Sequence, residues 1–294
     1  MTDQLRDRLR AHVHALVGER HPVFSPEVLK QVESYLAEQF RHLGLDVSLH
    51  PFDALGSTYH NVIATLSPSA SAGSPTPNEG SRLIIAAHYD TVPGSPGADD
   101  NASGLAVLLE VARSLRDMPL SGEVRFIGFC LEEEDLLGSL AYVAHLRANN
   151  QALRGAVVLE CVGYTRVDEG SQLVPAGLPI TVPSVGNFLG IVGNADSAQL
   201  AANIERSANR AVPDLNTVSL LVPGRGELFP DTRRSDHAAF WEHGYPAVML
   251  TDTANFRNPH YHQPTDTLET LNLEFLRKVA EAVTAAAIRL VGRE

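Results

Sequence analysis

Side chains able to hold a metal ion or move a proton stand where the apolar runs of this sequence end. His88 follows LIIAA, Glu132 and Glu133 follow EVRFIGFC, Glu160 closes GAVVLE, and His262 sits in the loop beyond PAVMLTD. The stretch AAHYDTVPGSPGADDNASG, residues 86–104, adds Asp90, Asp99 and Asp100 in a turn broken by Gly and Pro. Imidazole and carboxylate donors suit zinc and, less selectively, manganese or cobalt. Two ions about 3.5–4 Å apart need one shared carboxylate and roughly two further ligands each. His88, Asp100, Glu133, Glu160 and His262 fill that requirement and leave Glu132 free beside the site. A carboxylate next to a metal-activated water takes its proton and returns it to the leaving amine, so Glu132 is the expected general base. Asp90, two residues after His88, is placed to fix the imidazole tautomer by a hydrogen bond. Each segment alone has a plainer reading: a solvated turn around Asp100, or a charged helix start at LEEEDLLGS. It is their joint placement that points to cations.

That placement depends on the elements between them. Strands RLIIAA, EVRFIGFC and GAVVLE alternate with helices ASGLAVLLEVARSLRD and DLLGSLAYVAHLRAN, which implies right-handed crossovers and a largely parallel sheet covered on both faces. Ligand sites in such sheets form beyond the carboxyl ends of the strands. Upstream, the spacing of Val28, Leu29, Val32, Leu36, Phe40 and Leu43 predicts a helix, with Ser25 as N-cap, Pro26 in the first turn and Gly44 as its stop. Strands DVSLHPF and NVIATL follow, then a Ser/Pro/Gly-rich surface loop at 67–81. Later come strands NFLGIVGN, VSLLVP and PAVMLTD, and helices SAQLAANIERSANRA and NLEFLRKVAEAVTAAAIRLV. The expected fold class is α/β: a three-layer αβα domain with a mixed, mostly parallel central sheet, spanning 1–294 as one unit. The less regular segment 165–235 is expected to shape a substrate pocket.

The ordered segments AAHYDTVPGSPGADDNASG, LEEEDLLGS, LECVGY, RRSDHAAFWEHGYPAVMLTDT and NPHYHQPTDT resemble the successive motifs of the dizinc aminopeptidase family, which also includes glutamate carboxypeptidase, glutaminyl cyclase and the transferrin receptor. The resemblance runs from about residue 60 to the C-terminus. It implies a zinc-exopeptidase fold and two divalent ions, expected to be zinc. Position by position it makes His88 and Glu160 ligands of one metal, Glu133 and His262 ligands of the other, Asp100 the bridging carboxylate and Glu132 the general base. Tyr261 matches a position whose hydroxyl stabilises the tetrahedral oxyanion in some members. Two positions depart from the family pattern. Many relatives have Asp where Glu160 stands, and Gly is common where Asp135 stands; a reshaped turn there would move the base and ligand roles by one, towards Glu134.

The remaining residues carry plainer expectations. Cys130 and Cys161 are expected in the core, Asp99 in a structural turn, and His12, His14, His243 and His260 in solvent. Asp236 and His237 either join a network behind the ligands or cap the next helix. A net charge of −12 and a pI near 5.4 exclude a basic nucleic-acid surface. No apolar run reaches the ~18–20 residues of a membrane span. The amphipathic start MTDQLRDRLRAHVHALVGER lacks secretory features, and two cysteines make no disulfide framework, so the expected location is the cytoplasm. The expected activity is removal of a residue from a free N-terminus of a peptide or amino-acid conjugate. Carboxypeptidase or dipeptidase action is the alternative enzyme reading and would call for Arg233, Arg234 or Arg257 to grip a substrate carboxylate. A protein that kept the fold for binding alone would be expected to lose ligands or Glu132, and both are present.

Overall fold

A computed structural model describes residues 2–68, 82–175, 177, 178 and 180–292. From residue 69 onward the surface loop expected at 67–81 lies outside the described residues. Among the described residues eight strands form one sheet: β1 (Asp46–Ala54), β2 (Ser57–Leu66), β3 (Leu83–His88), β4 (Val124–Phe129), β5 (Gly155–Glu160), β6 (Phe188–Asn194), β7 (Asn216–Val222) and β8 (Ala247–Thr251). Their spatial order is β1-β2-β4-β3-β5-β8-β6-β7. The block β4-β3-β5-β8 is parallel, β2 and β6 run antiparallel to its two flanks, and β6 pairs parallel with β7. This is the mixed sheet expected from the alternating pattern. The reversals at β2 and β6 are set by pairing partners and not by any local signal.

The parallel strands are buried on both faces, which is why LIIAAH and GAVVLE read as unbroken apolar runs and not as alternating ones. Alternation reappears in three dimensions. Leu83, Ile85 and Ala87 of β3 join one core while Ile84 and Ala86 join the other. The first core is covered by α1 (Thr2–Leu16), α2 (Pro26–His42), α3 (Gly104–Leu115), α5 (Ala198–Ala211) and α7 (Leu273–Val291). The second is covered by α4 (Leu137–Ala148) and α6 (His237–Glu242). Ser25 holds the N-cap position of α2 but makes no side-chain cap bond, whereas Asn272 caps α7 by accepting from the amides of Glu274 and Phe275. Among the described residues no helix is long and apolar enough to cross a membrane.

This connectivity creates the crevice. From β3 the chain crosses by α3 to β4 on one side, and from β4 it crosses by α4 to β5 on the other side of β3. Strand order therefore reverses at β3, and a gap opens beyond its carboxyl end. His88 pairs in register with Phe129, and Glu160 with Thr251, so the four parallel strands end side by side. The start of α4 is held close to the end of β4: a Cβ on Gly138 would collide with the Cys130 carbonyl and the Asn61 side chain. Only glycine allows this approach, and it fixes the path of the intervening Glu132–Glu133 turn.

Candidate metal centre

His88, the last residue of β3, is almost fully buried and points Nε2 at two carboxylates: Asp100 Oδ1 at 3.1 Å and Glu160 Oε2 at 3.4 Å. On the other side of Asp100, Oδ2 lies 3.0 Å from His262 Nε2, which is 3.3 Å from Glu133 Oε2. Asp100 thus presents one oxygen to each imidazole. A tetrahedral shell with bonds of about 2.0–2.2 Å places its donor atoms about 3.3–3.6 Å apart, close to the separations found here. In both groups, His88–Asp100–Glu160 and Asp100–Glu133–His262, the donor atoms lie within 4.8 Å of one another. His88 with Glu132 and Glu133 forms a third, overlapping group, but Glu132 Oε2 stands farther off, 3.8 Å from His88 Nε2.

The donors are also short of partners. His88 Nε2, Asp100 Oδ1, Glu133 Oε1 and His262 Nε2 are buried without a hydrogen bond among the described residues. Buried polar atoms cost free energy unless matched, and a set of N and O donors left open around shared points is matched by divalent cations. The residues therefore fit a two-ion site. The electrostatics agree. Burial, opposed in part by His88 and reinforced by Glu160 and Glu133, lifts the Glu132 carboxyl well above its usual range. Burial and Asp100 push Glu133 up to about 7. For His262, burial is outweighed by Asp100 and Glu133, which raise it to about 10. A crowd of carboxylates around two imidazoles in a buried space is relieved by added positive charge.

Local backbone conformation aims these groups. Leu131, Cys161 and His262 have φ of 61°, 48° and 59°, left-handed values at or beside the donors. Non-glycine residues adopt that region at a cost and tend to do so at functional sites. Asp135 has φ 60°. This is a conformation that glycine takes freely, and aspartate tolerates it better than most side chains. Glu134 stays outside all three donor groups and reaches His21 Nε2 at 3.4 Å. Glu160 is held by two donors, the Ser235 hydroxyl at 2.8 Å on Oε2 and the Cys161 thiol at 3.3 Å on Oε1. These contacts fix its longer side chain in place.

Asp90 lies 3.6 Å from His88 Nδ1, beyond hydrogen-bond reach, and its two oxygens accept the amides of Glu132 and Glu133, each at 3.0 Å. It anchors the glutamate pair directly and faces the imidazole only across a longer gap. Asp99 accepts from the Gly163 amide and the Asn258 side chain, a structural role as expected. Asp266 lies in the motif NPHYHQPTDT, which by itself does not disclose its role; it accepts the amides of Asp99 at 2.9 Å and Asp100 at 3.1 Å. Asp236 is fully buried with neither oxygen hydrogen-bonded among the described residues and makes no cap bond to α6, while His237 bonds the Thr232 carbonyl through Nε2. Burial moves Asp236 up to about 7 and His237 down to about 4. Both cysteines are buried and neither joins a donor group among the described residues. His14 is exposed as expected, but His12 is partly buried between Tyr35 and Glu110, because α1 packs against α3. His243 and His260 are half-buried, bonded to the Ala239 carbonyl and the Thr265 hydroxyl.

An apolar cavity of about 110 Å³ adjoins the centre. Its walls include Ile180, Phe188, Val192, Leu220, Met249 and Phe256, and its rim includes Glu160, Arg234 and Tyr261. Tyr261 stacks on His262 with centroids 3.9 Å apart, and its oxygen accepts from Arg234 Nη2 at 3.1 Å. Of Arg233, Arg234 and Arg257, Arg234 alone lines the cavity, and it is also bound to Asn255. Arg233 pairs with Glu242, and Arg257 is buried against Gln172 and the Phe188 ring.

Comparison with known proteins places this geometry in a family. The model of Peptidase family M28 matches residues 61–287. Protein YfbL of Escherichia coli (strain K12) is 31% identical over 293 residues, covering 94% of this chain and 86% of its own length. Aminopeptidase YwaD of Bacillus subtilis (strain 168) is 34% identical over 224 residues, 72% of this chain, which spans 42% of that protein. BSAP, a zinc aminopeptidase from Bacillus subtilis, superposes with a TM-score of 0.61 at 29% identity over 81% of this chain and 52% of its own. This chain therefore belongs to Peptidase family M28, and its chemistry is the hydrolysis of peptide bonds.

Proposed function

We propose that the chain is a metallo-aminopeptidase that binds two divalent ions, zinc by donor type, and releases the N-terminal residue of a peptide or amino-acid conjugate. The observation that carries this reading is the pair of donor groups sharing Asp100. His88 and Glu160 would hold one ion, Glu133 and His262 the other. When bound, such ions lower the pKa of water and polarise the scissile carbonyl. Glu132, buried beside the donors, accepts the proton of the attacking water and hands it to the leaving amine. Tyr261, accepting from Arg234, turns its own hydroxyl proton towards the oxygen that gains charge.

Arg234 is already committed to Tyr261 and Asn255, which weakens the carboxypeptidase alternative. The test is a pair of substrates, leucine p-nitroanilide and its N-acetyl form, assayed before and after chelation alongside metal analysis. We expect about two ions per chain, cleavage of the free amine alone, loss of activity on chelation and recovery with zinc. Cleavage of the acetylated substrate, or activity that survives chelation, would overturn the assignment.

The cavity is proposed to take the side chain of the released residue. Val192→Phe, which fills part of it, should lower kcat/KM for the leucyl substrate by about 10-fold or more, with a much smaller loss for the alanyl one. Equal losses for both would remove the cavity from substrate binding.

A further inference from the structure

We propose that the connection between α1 and α2, through Arg20 and His21, positions both ligand-bearing loops of the metal centre. It lies outside residues 61–287, which the family model matches. The inference rests on the two-ion reading above.

Arg20 is completely buried, and every bond of its guanidinium goes to a backbone carbonyl. Nε donates to Tyr89 at 2.8 Å, next to His88. Nη1 donates to Leu16, Gly18 and Pro96 at 2.7, 2.9 and 2.9 Å. Nη2 donates to Gly97 at 3.0 Å and reaches the Asp100 carbonyl at 3.5 Å. The backbone joins in: the Arg20 amide donates to Thr91 Oγ1, and the Gly18 amide to the Pro96 carbonyl. On the opposite side of this loop, Asp266 accepts the amides of Asp99 and Asp100. Between them, Arg20 and Asp266 satisfy the polar backbone that would otherwise be buried unpaired around the bridging aspartate. Gly97, at φ 62°, lies so close that a Cβ there would stand 2.6 Å from Arg20 Nη2. The loop is shaped around the guanidinium.

The next residue reaches the second loop. His21 Nδ1 accepts the amides of Val23 and Phe24, so Nε2 carries the proton and faces Glu134, the neighbour of Glu133, at 3.4 Å. Two consecutive residues thus touch the segments that carry His88 and Asp100 on one side and Glu132 and Glu133 on the other. A lysine at position 20 offers donors from a single nitrogen and cannot span carbonyls from Tyr89 to Gly97.

The sign of the charge effect makes the test decisive. Arg20 is a fixed cation near Asp100, Asp266, Asp90 and Glu133. At constant geometry, removing it would tighten metal binding, because a like charge has gone. Positioning predicts the opposite. Zinc and cobalt affinities of the full-length Arg20→Met variant, measured by chelator competition, should weaken about 10–100-fold. Hydrogen exchange over residues 89–100 of the metal-free variant should also rise. Leu9→Ala, which opens a cavity beside α1 but removes none of the clasp's hydrogen bonds, serves as control and should lower Tm while leaving metal affinity unchanged. Unchanged or tighter affinity in Arg20→Met, or an equal loss in Leu9→Ala, would overturn the proposal. If Arg20→Met does not fold, His21→Ala decides. A loss of about tenfold in metal affinity supports the clasp, and wild-type affinity rejects it. A wild-type protein that binds no metal would instead refute the two-ion reading itself.

Discussion

Glu132→Gln is expected to lower kcat by about 10²–10⁴-fold while metal content stays at the wild-type level. The amide is nearly isosteric with the carboxylate but cannot take a proton from water. The turn that carries it should persist, because Asp90 holds it through the main-chain amides of residues 132 and 133 and not through the Glu132 side chain. Glu132 is also the carboxylate farther from His88, at 3.8 Å against 3.1 and 3.4 Å for Asp100 and Glu160. Its change should therefore leave both ions in place. Steady-state kinetics on leucine p-nitroanilide with metal analysis of the same sample checks this. A large fall in kcat with KM and metal content unchanged assigns Glu132 to proton transfer; loss of metal would make it a ligand and exchange the roles of the glutamate pair.

The second large effect is expected from Asp100→Asn. Each Asp100 oxygen faces a different imidazole, so the change strikes both ions at once. An asparagine presents one oxygen acceptor and one NH₂ that cannot coordinate. Occupancy of both sites should fall together, and activity with it, by about 10³-fold or more, since losing the ions removes both water activation and carbonyl polarisation. Scanning calorimetry gives an independent measure. Zinc at a hundredfold excess over Kd stabilises a protein by about 2.7 kcal/mol per site, and this gain should vanish in Asp100→Asn. His262→Ala, which removes a ligand on one side, should retain more metal. If Asp100→Asn keeps a full complement of metal, Asp100 does not bridge.

Much of this centre was legible because it obeys local rules. Apolar runs bounded by turn residues located the strands, and a polar residue at the end of such a run lies at a strand's carboxyl end wherever that strand pairs. His88 and Glu160 stand at such strand ends. Glu132, Glu133 and His262 lie in loops that follow strands, and Tyr261 is singled out by the family resemblance alone. What escaped notice acts across long stretches of sequence. Asp266 reaches the Asp99 amide 167 residues away, Ser235 reaches Glu160 75 residues away, and Arg20 reaches Asp100 80 residues away. Asp266 and Ser235 stand inside ordered motifs that do not disclose what these two side chains bond, and a buried arginine looks like any other charge in a polar segment. The partial burial of His12 has the same origin, since it depends on how α1 docks.

By itself the sequence determined the elements, the residue types available for chemistry and their assignment to strand ends, because these follow from steric and hydrophobic preferences within a few residues. Tertiary structure decided the rest. Strand order at β3 opened the crevice, left-handed turns at Leu131, Cys161 and His262 aimed the donors, and Asp100 was set with one oxygen towards each histidine. Distances of a few ångströms between residues far apart in the chain are fixed only when the whole sheet closes, since each depends on packing and hydrogen bonds contributed by many segments at once.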